Sequence, residues 1–399
     1  MTEVRDISLE RPAVGGAVGR LPDGRVIFVR HGLPSEVVDV EVTEEHTTYA
    51  RGEAVALVTR SAGRVEPSCP YAVPSGCGGC DLQHASPEAQ REWKVALVAE
   101  QLLRVASVER DVTLESAPSP ARGSRTRLRA GVDDEGRLGL RVWRSHDLVG
   151  VDDCWLADER FAAAFAREWP GNKDVELRAI GEGEPFAVLH RTDGAVDVAS
   201  FEGRLLSPST SSRIEVNGHT FRVGPRSFWQ SHRDAPAVLT DAVLGVAGVK
   251  PGDTVTDLYA GVGLFSVPLA KATGRGGRVT AVESAPWSVA DARHNVEGAG
   301  RVQVRQWDVT ARAVNDAVAP DSIVVVDPPR TGLGRGVAAA LARRAPRRLV
   351  YVSCDPATFA RDAKVLSGHG YRLQRATPFD LFPQTPHVEV VSAFVRSGR

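Results

Sequence analysis

The sequence has no apolar run approaching the roughly 20 residues that cross a bilayer. Its opening, MTEVRDISLERPAVGG, has neither an apolar core nor a cleavage-site pattern. A cytoplasmic chain with reduced thiols and no membrane contact is therefore expected. Charge of one sign is missing as well: the net charge is −1, which argues against a bulk polyanion binder. Lysine is scarce, five residues against 44 arginines, so cationic contacts fall to guanidinium groups, which suit bidentate phosphate binding. Internal repeats and low-complexity tracts are absent, which excludes a solenoid. Cysteine is rare at five residues. In a reducing compartment, partly clustered thiols point to metal binding or catalysis over disulfides.

A length of 399 residues calls for two or three domains. Residues 1–60 alternate apolar and polar positions around an Asp23-Gly24 turn, the pattern of a small antiparallel barrel of a kind that often binds nucleic acid. Seven arginines against 10 acids make a strong electrostatic funnel unexpected there. Residues 61–227 hold a cysteine-bearing loop, a helix over 87–108 opened by Ser86 and Pro87, and irregular strands with turns at Gly136 and Gly194. Two basic runs stand out, Arg122 to Arg129 and RRAPRR at 343–348. Each is either a solvated face or a nucleic-acid contact. From about Gly252 strand-like and helix-like stretches alternate, which predicts a doubly wound, mostly parallel sheet with ligands beyond its carboxyl ends.

DLYAGVGLFSVPLA places Gly261 and Gly263 between the first of these strands and its helix, where glycine allows a tight turn and close ligand approach. Glu283 ends the second strand, positioned for two ribose hydroxyls, and Asp308 ends the third, within reach of a base edge. The third glycine of a pyrophosphate site is missing, and so is a Walker lysine. A nucleoside without a diphosphate fits better, and S-adenosylmethionine is the commonest such cofactor. Asp327-Pro328-Pro329 ends the fourth strand; neither proline can donate to a ladder, so the pair fixes a rigid loop facing the ligand crevice.

Cys354, in YVSCDPAT, ends the next strand, and Arg330 rather than an aromatic follows the diproline. That combination points to chemistry at a ring carbon. Uracil C5 is a poor nucleophile, but thiolate addition to C6 makes an enolate whose charge reaches C5, which can then take a methyl group. A base must next remove the C5 proton so that the thiolate leaves. The scheme needs a cysteine of low pKa and a separate carboxylate. Glu389, amid Val388, Val390 and Val391 at the start of a late strand, should be partly desolvated and more basic than usual. The other cysteines are Cys69, Cys77 and Cys80 in SCPYAVPSGCGGCDLQH, and Cys154. Four thiolates suit zinc or a cubane iron–sulfur cluster, although zinc more often shows two close pairs.

Together these residues resemble the RNA uracil-5-methyltransferase family over almost the whole chain. CGGCDLQH, SFWQSH, DLYAGVGLFS, VDPPRTG, YVSCDPAT and FPQTPHVE look like its motifs, in its order. The resemblance implies a Rossmann-like α/β methyltransferase domain at 228–399 and an N-terminal TRAM barrel, related to OB folds, at 1–60. Between them, 61–227 would be a strand-rich iron–sulfur and RNA-binding domain whose helix 87–108 packs on the catalytic domain. It implies a 4Fe-4S cluster on Cys69, Cys77, Cys80 and Cys154. Gln230, Tyr259, Leu264, Glu283, Asp308 and Asp327 would line the cofactor and uracil site, with Cys354 as nucleophile and Glu389 as base. The implied partner is RNA, 23S rRNA first and tRNA as the alternative, with the uridine flipped out of its stack and no obligate protein partner. Two positions depart from the family pattern: seven residues separate Cys69 from Cys77 where five are usual, and Asp355 stands where asparagine is usual. An exocyclic-amine methyltransferase, which would not need Cys354, and a non-catalytic iron–sulfur RNA-binding protein are the more distant readings.

Overall fold

Five strands, Thr2–Ala13, Gly16–Arg20, Val26–Arg30, Val37–Glu45 and Tyr49–Thr59, close into a barrel in the computed structural model, which describes residues 2–207 and 210–397. Alternate residues such as Ile27, Val29, Val38 and Val40 point inward and are buried, as the period of a strand requires. Gly16, at φ +123°, lies where a Cβ would fall 2.3 Å from the Val29 carbonyl oxygen, so no other residue fits. The barrel is fastened to the next segment by buried Glu36, whose two oxygens accept from Arg64 Nε and Nη2 at 2.6 Å each.

Helix α1 (Pro87–Gln101) starts where expected, with Ser86 Oγ accepting from the Ala89 N–H at 3.2 Å. It stops being α-helical at Gln101 and continues to Ala106 as a wider π-type turn, shorter than the single helix to 108 that the periodicity predicts. Trp93 and Leu97 pack into the barrel's core, whereas Val98 and Leu102 pack into that of the last domain. One helix thus has two apolar faces and joins the ends of the chain. A six-stranded antiparallel sheet follows, with hairpin turns at the two expected positions.

The last part is built on β1 (Thr254–Leu258), β2 (Arg278–Glu283), β3 (Val302–Gln306), β4 (Ile323–Val326), β5 (Arg348–Ser353), β6 (Tyr371–Asp380) and β7 (Glu389–Arg396). Their order is β3-β2-β1-β4-β5-β7-β6, extended past β6 by the short strand Glu115–Ser116. The first five are parallel and β7 runs antiparallel to β5. β4 is buried at every position, as a central strand covered on both faces must be. The connecting helices are α2 (Ala235–Ala247), α3 (Ser266–Thr273), α4 (Pro286–Asn295), α5 (Ala311–Ala317), α6 (Gly334–Arg344) and α7 (Pro356–Gly368). One face of the sheet packs on α6, α7 and α1, and the other on α2, α3 and residues of the central sheet. Helices α2 and α5 carry little helical signal in the sequence: α2 is apolar on most of its surface, and α5 is too short to show a period. No helix among the described residues is long and apolar enough to cross a membrane.

Candidate active site

A small cavity opens at the carboxyl ends of β1 and β4. Gln230, Tyr259, Leu264 and Asp327 line it, with Phe228 and Gly261. Tyr259 takes φ +63°, unusual for an aromatic residue, at the tight turn leaving β1. Glu283 lies beside the cavity and holds the loop: its Oε2 accepts from Gly261 N at 2.9 Å, and its Oε1 from Ser284 N and Ala285 N at 2.9 and 2.8 Å. Asp308, expected to end β3, lies two residues beyond it, exposed and off the cavity lining.

Cys354 and Glu389 are brought together by the sheet itself. The β5–β7 ladder pairs Val352 with Val391 and Ser353 with Val390, so its continuation by one residue sets Cys354 opposite Glu389. Because β7 is antiparallel, its first residue lies at the same edge as the last of β5. Glu389 is buried, and its carboxyl is pushed well above the ordinary range by burial and then by nearby Asp327, with Arg330 opposing. The basicity expected of it is therefore present. Cys354 differs from expectation. Burial, and then the carboxylates of Glu389, Asp327 and Asp355, push its thiol up to about 12, against the pull of Arg330. These surroundings favour the thiol over the low-pKa thiolate expected. Asp355 has a structural duty that accounts for an acid there: it caps α7, its Oδ1 accepting from Thr358 N at 2.8 Å.

Several members of the site gave no sequence signal. Asp257, inside β1, is fully buried; Ser266 Oγ donates to its Oδ2 at 2.5 Å, while its Oδ1 has no hydrogen-bond partner among the described residues. Burial raises it to about 7, and Asp327 is likewise raised to about 7 by burial and then by Asp257. Buried acids this close repel one another when ionised. A ligand carrying positive charge, such as a sulfonium, would relieve that repulsion, so these residues fit S-adenosylmethionine in charge. His387, in the loop before β7, is held down to about 4 by burial and then by Arg330.

Cys69, Cys77, Cys80 and Cys154 converge from distant segments to line one small cavity. Gly78, between Cys77 and Cys80, packs so tightly that a Cβ would fall 2.4 Å from Trp143 N. Burial raises the thiols of Cys77 and Cys154, and that of Cys80 to about 12; a bound cation would reverse this. No group of three or more His, Cys, Asp or Glu among the described residues is gathered tightly enough for a metal ion. The four expected donors therefore share a cavity without closing around a single ion.

The basic runs are partly spent within the protein. Arg127 pairs with Glu176 at 2.8 Å and Arg129 with Asp174 at 2.9 Å, and Arg141 shares Asp174. In the second run, Arg347 pairs with Asp253 at 2.6 Å and Arg348 donates to Val246 O at 2.7 Å. That run lies at the start of β5, the end of the sheet away from Cys354.

Comparison with known proteins bears on both ends of the chain. Residues 210–396 match the family model of tRNA (uracil-5-)-methyltransferases, and residues 3–55 that of the TRAM domain. An uncharacterized RNA methyltransferase of Streptomyces coelicolor is 37% identical over 95% of this chain and 89% of its own length. Another, of Bifidobacterium longum, is 35% identical over 98% of this chain and 96% of its own. Among solved structures, the tRNA (uracil-54, C5)-methyltransferase of Pyrococcus abyssi in complex with S-adenosyl-L-homocysteine superposes with a TM-score of 0.72. It is 25% identical, with 98% of this chain and all of that one covered.

Proposed function

Because the chain belongs to the RNA uracil-5-methyltransferase family, we propose that it forms 5-methyluridine with Cys354 as nucleophile and Glu389 as base, and that its substrate is 23S rRNA. The facing of these two residues across β5 and β7, beside the cavity that holds Gln230 and Asp327, is the observation that carries this reading. Cys354 loses its proton to water, and its Sγ bonds to uracil C6 as the C5–C6 π bond breaks. The electron pair displaced onto C5 takes a methyl group, which S-adenosylmethionine supplies when bound. Glu389 then removes the C5 proton, the C6–S bond breaks, and its electron pair returns to sulfur. Gln230, Tyr259, Leu264 and Asp327 hold the cofactor and uracil, Glu283 orders the glycine loop around them, and Asp308, exposed outside that cavity, is assigned to the cofactor by the family resemblance.

The 23S rRNA assignment rests on the joint presence of a barrel and the four-cysteine segment, taken as the mark of ribosomal substrates. A tRNA substrate is the second reading, favoured by the full-length likeness to the Pyrococcus abyssi enzyme. Transcripts of both RNAs carrying 5-fluorouridine distinguish them, because fluorine at C5 cannot be removed as a proton. A denaturation-resistant adduct through Cys354 is expected with 23S rRNA and cofactor. An adduct with tRNA alone would move the substrate to the second reading, and none with either would sink the nucleophile assignment.

The division into domains at 1–60, 61–227 and 228–399 belongs to the same proposal, as does a cytoplasmic setting. So does a 4Fe-4S cluster on Cys69, Cys77, Cys80 and Cys154. Sulfurs around one tetrahedral zinc lie about 3.8 Å apart, given Zn–S bonds near 2.3 Å; a cubane gives each thiolate its own iron and takes donors set farther apart than a single ion does. When bound it would brace the central domain. Anaerobic reconstitution should yield about four irons per chain and absorbance near roughly 400 nm. One zinc with no iron would replace the cluster by a single-ion site.

A further inference from the structure

Helix α1 reaches the loop between β6 and β7 through two side chains one turn apart, Gln90 and Lys94, both buried. Lys94 Nζ donates to the Asp380 carboxylate and, at 2.8 Å, to Phe382 O. Gln90 Oε1 accepts from Gln384 N at 3.0 Å. The Gln90 amide shares its two N–H donors among Gln384 Oε1 at 2.9 Å, Ala85 O at 2.9 Å and Leu82 O at 3.1 Å. Leu82 N in turn donates to Gln384 O at 2.9 Å. The N–H, the carbonyl and the side-chain oxygen of Gln384 are therefore all bound. Its φ is +64°, a left-handed conformation that a glutamine rarely adopts unless its surroundings impose it.

Polar side chains buried on two successive turns contribute less to a core than leucines would, but they fix geometry, because every misplacement strands a desolvated group. What they fix here is an eight-residue loop, 381–388, whose next residue is Glu389. The third anchor, Leu82, stands two residues after Cys80, so the loop is also tied to the cysteine-bearing segment. We infer that Gln90 is a positioning residue, which through Gln384 sets the Glu389 carboxylate in place opposite Cys354. The inference rests on Glu389 being the base, and it assigns to α1 a part in the proton-removal step alone.

Gln90→Ala and Gln384→Ala in the full chain test it; the second removes a loop side chain and leaves the helix intact. Three quantities are measured alongside a thermal melt: turnover on uridine RNA, adduct persistence on that RNA, and the rate of adduct formation on 5-fluorouridine RNA, which needs no proton removal. Turnover should fall at least ten-fold in both variants, with adduct persisting on ordinary RNA and fluorinated adduct forming within two-fold of the unsubstituted rate. Turnover within two-fold of normal would overturn the inference. So would fluorinated adduct declining in step with turnover, the mark of general loosening. Failure of the underlying nucleophile assignment reads differently, as an unsubstituted enzyme that traps no fluorinated RNA at all.

Discussion

Turnover should fall by on the order of 10⁴-fold or more when Cys354 is replaced by alanine, since the step that activates C5 has no substitute. Among the described residues the other four cysteines line a separate cavity, so none can stand in for it. Cofactor affinity should stay within a few-fold, because Cys354 is not among the residues lining the cavity at the ends of β1 and β4. Methyl transfer from labelled cofactor to RNA, with cofactor binding measured by calorimetry, reads both quantities. A Cys354→Ala enzyme retaining a tenth or more of its activity would return the Asp-Pro-Pro loop to exocyclic-amine chemistry. One that had also lost cofactor binding would point to collapse of the site instead.

Glu389→Gln should leave the early steps running and block the last. Each molecule should methylate one uridine and then remain joined to it, with turnover down by about 10³-fold, the middle of the range for a lost general base. Denaturing electrophoresis with labelled RNA shows the adduct; rapid, clean release would remove Glu389 from the role. The same groups dictate the pH response of the unsubstituted enzyme. Glu389 and Cys354 both act deprotonated, and both are held above their ordinary values by burial and neighbouring acids. The competent fraction is therefore small at neutral pH and grows with alkalinity, so the rate should climb between about pH 6 and pH 9. A rate that falls over that interval would contradict the assignment of both.

The alternation of elements after Gly252 was legible because buried parallel strands leave unbroken runs such as IVVV, closed by the glycines and prolines of their loops. Cys354, Asp327 and Glu283 were legible for the same reason: each stands at a strand's end, where such sheets present their chemistry. Two things were not. The state of the Cys354 thiol depends on Asp327 and Glu389, which are 27 and 35 positions away in sequence, and only the assembled sheet reveals how their charges add. Asp257 was missed because an acid within a strand reads as a surface position until the partner sheet and helices cover it. Gln90 and Lys94 look like the polar face of an amphipathic helix, and the loop that turns this face inward arrives nearly 300 residues later.

A strand that runs against its neighbours has a further meaning for how such an enzyme can change over time. Insertions into the turn preceding β7 would have to spare the Gln384 anchor, while the register of thiol and carboxylate is dictated by hydrogen bonds between adjacent strands. Slippage of that final ribbon by a single residue would swing Glu389 to the opposite surface. The pairing of the two ribbons therefore admits no intermediate.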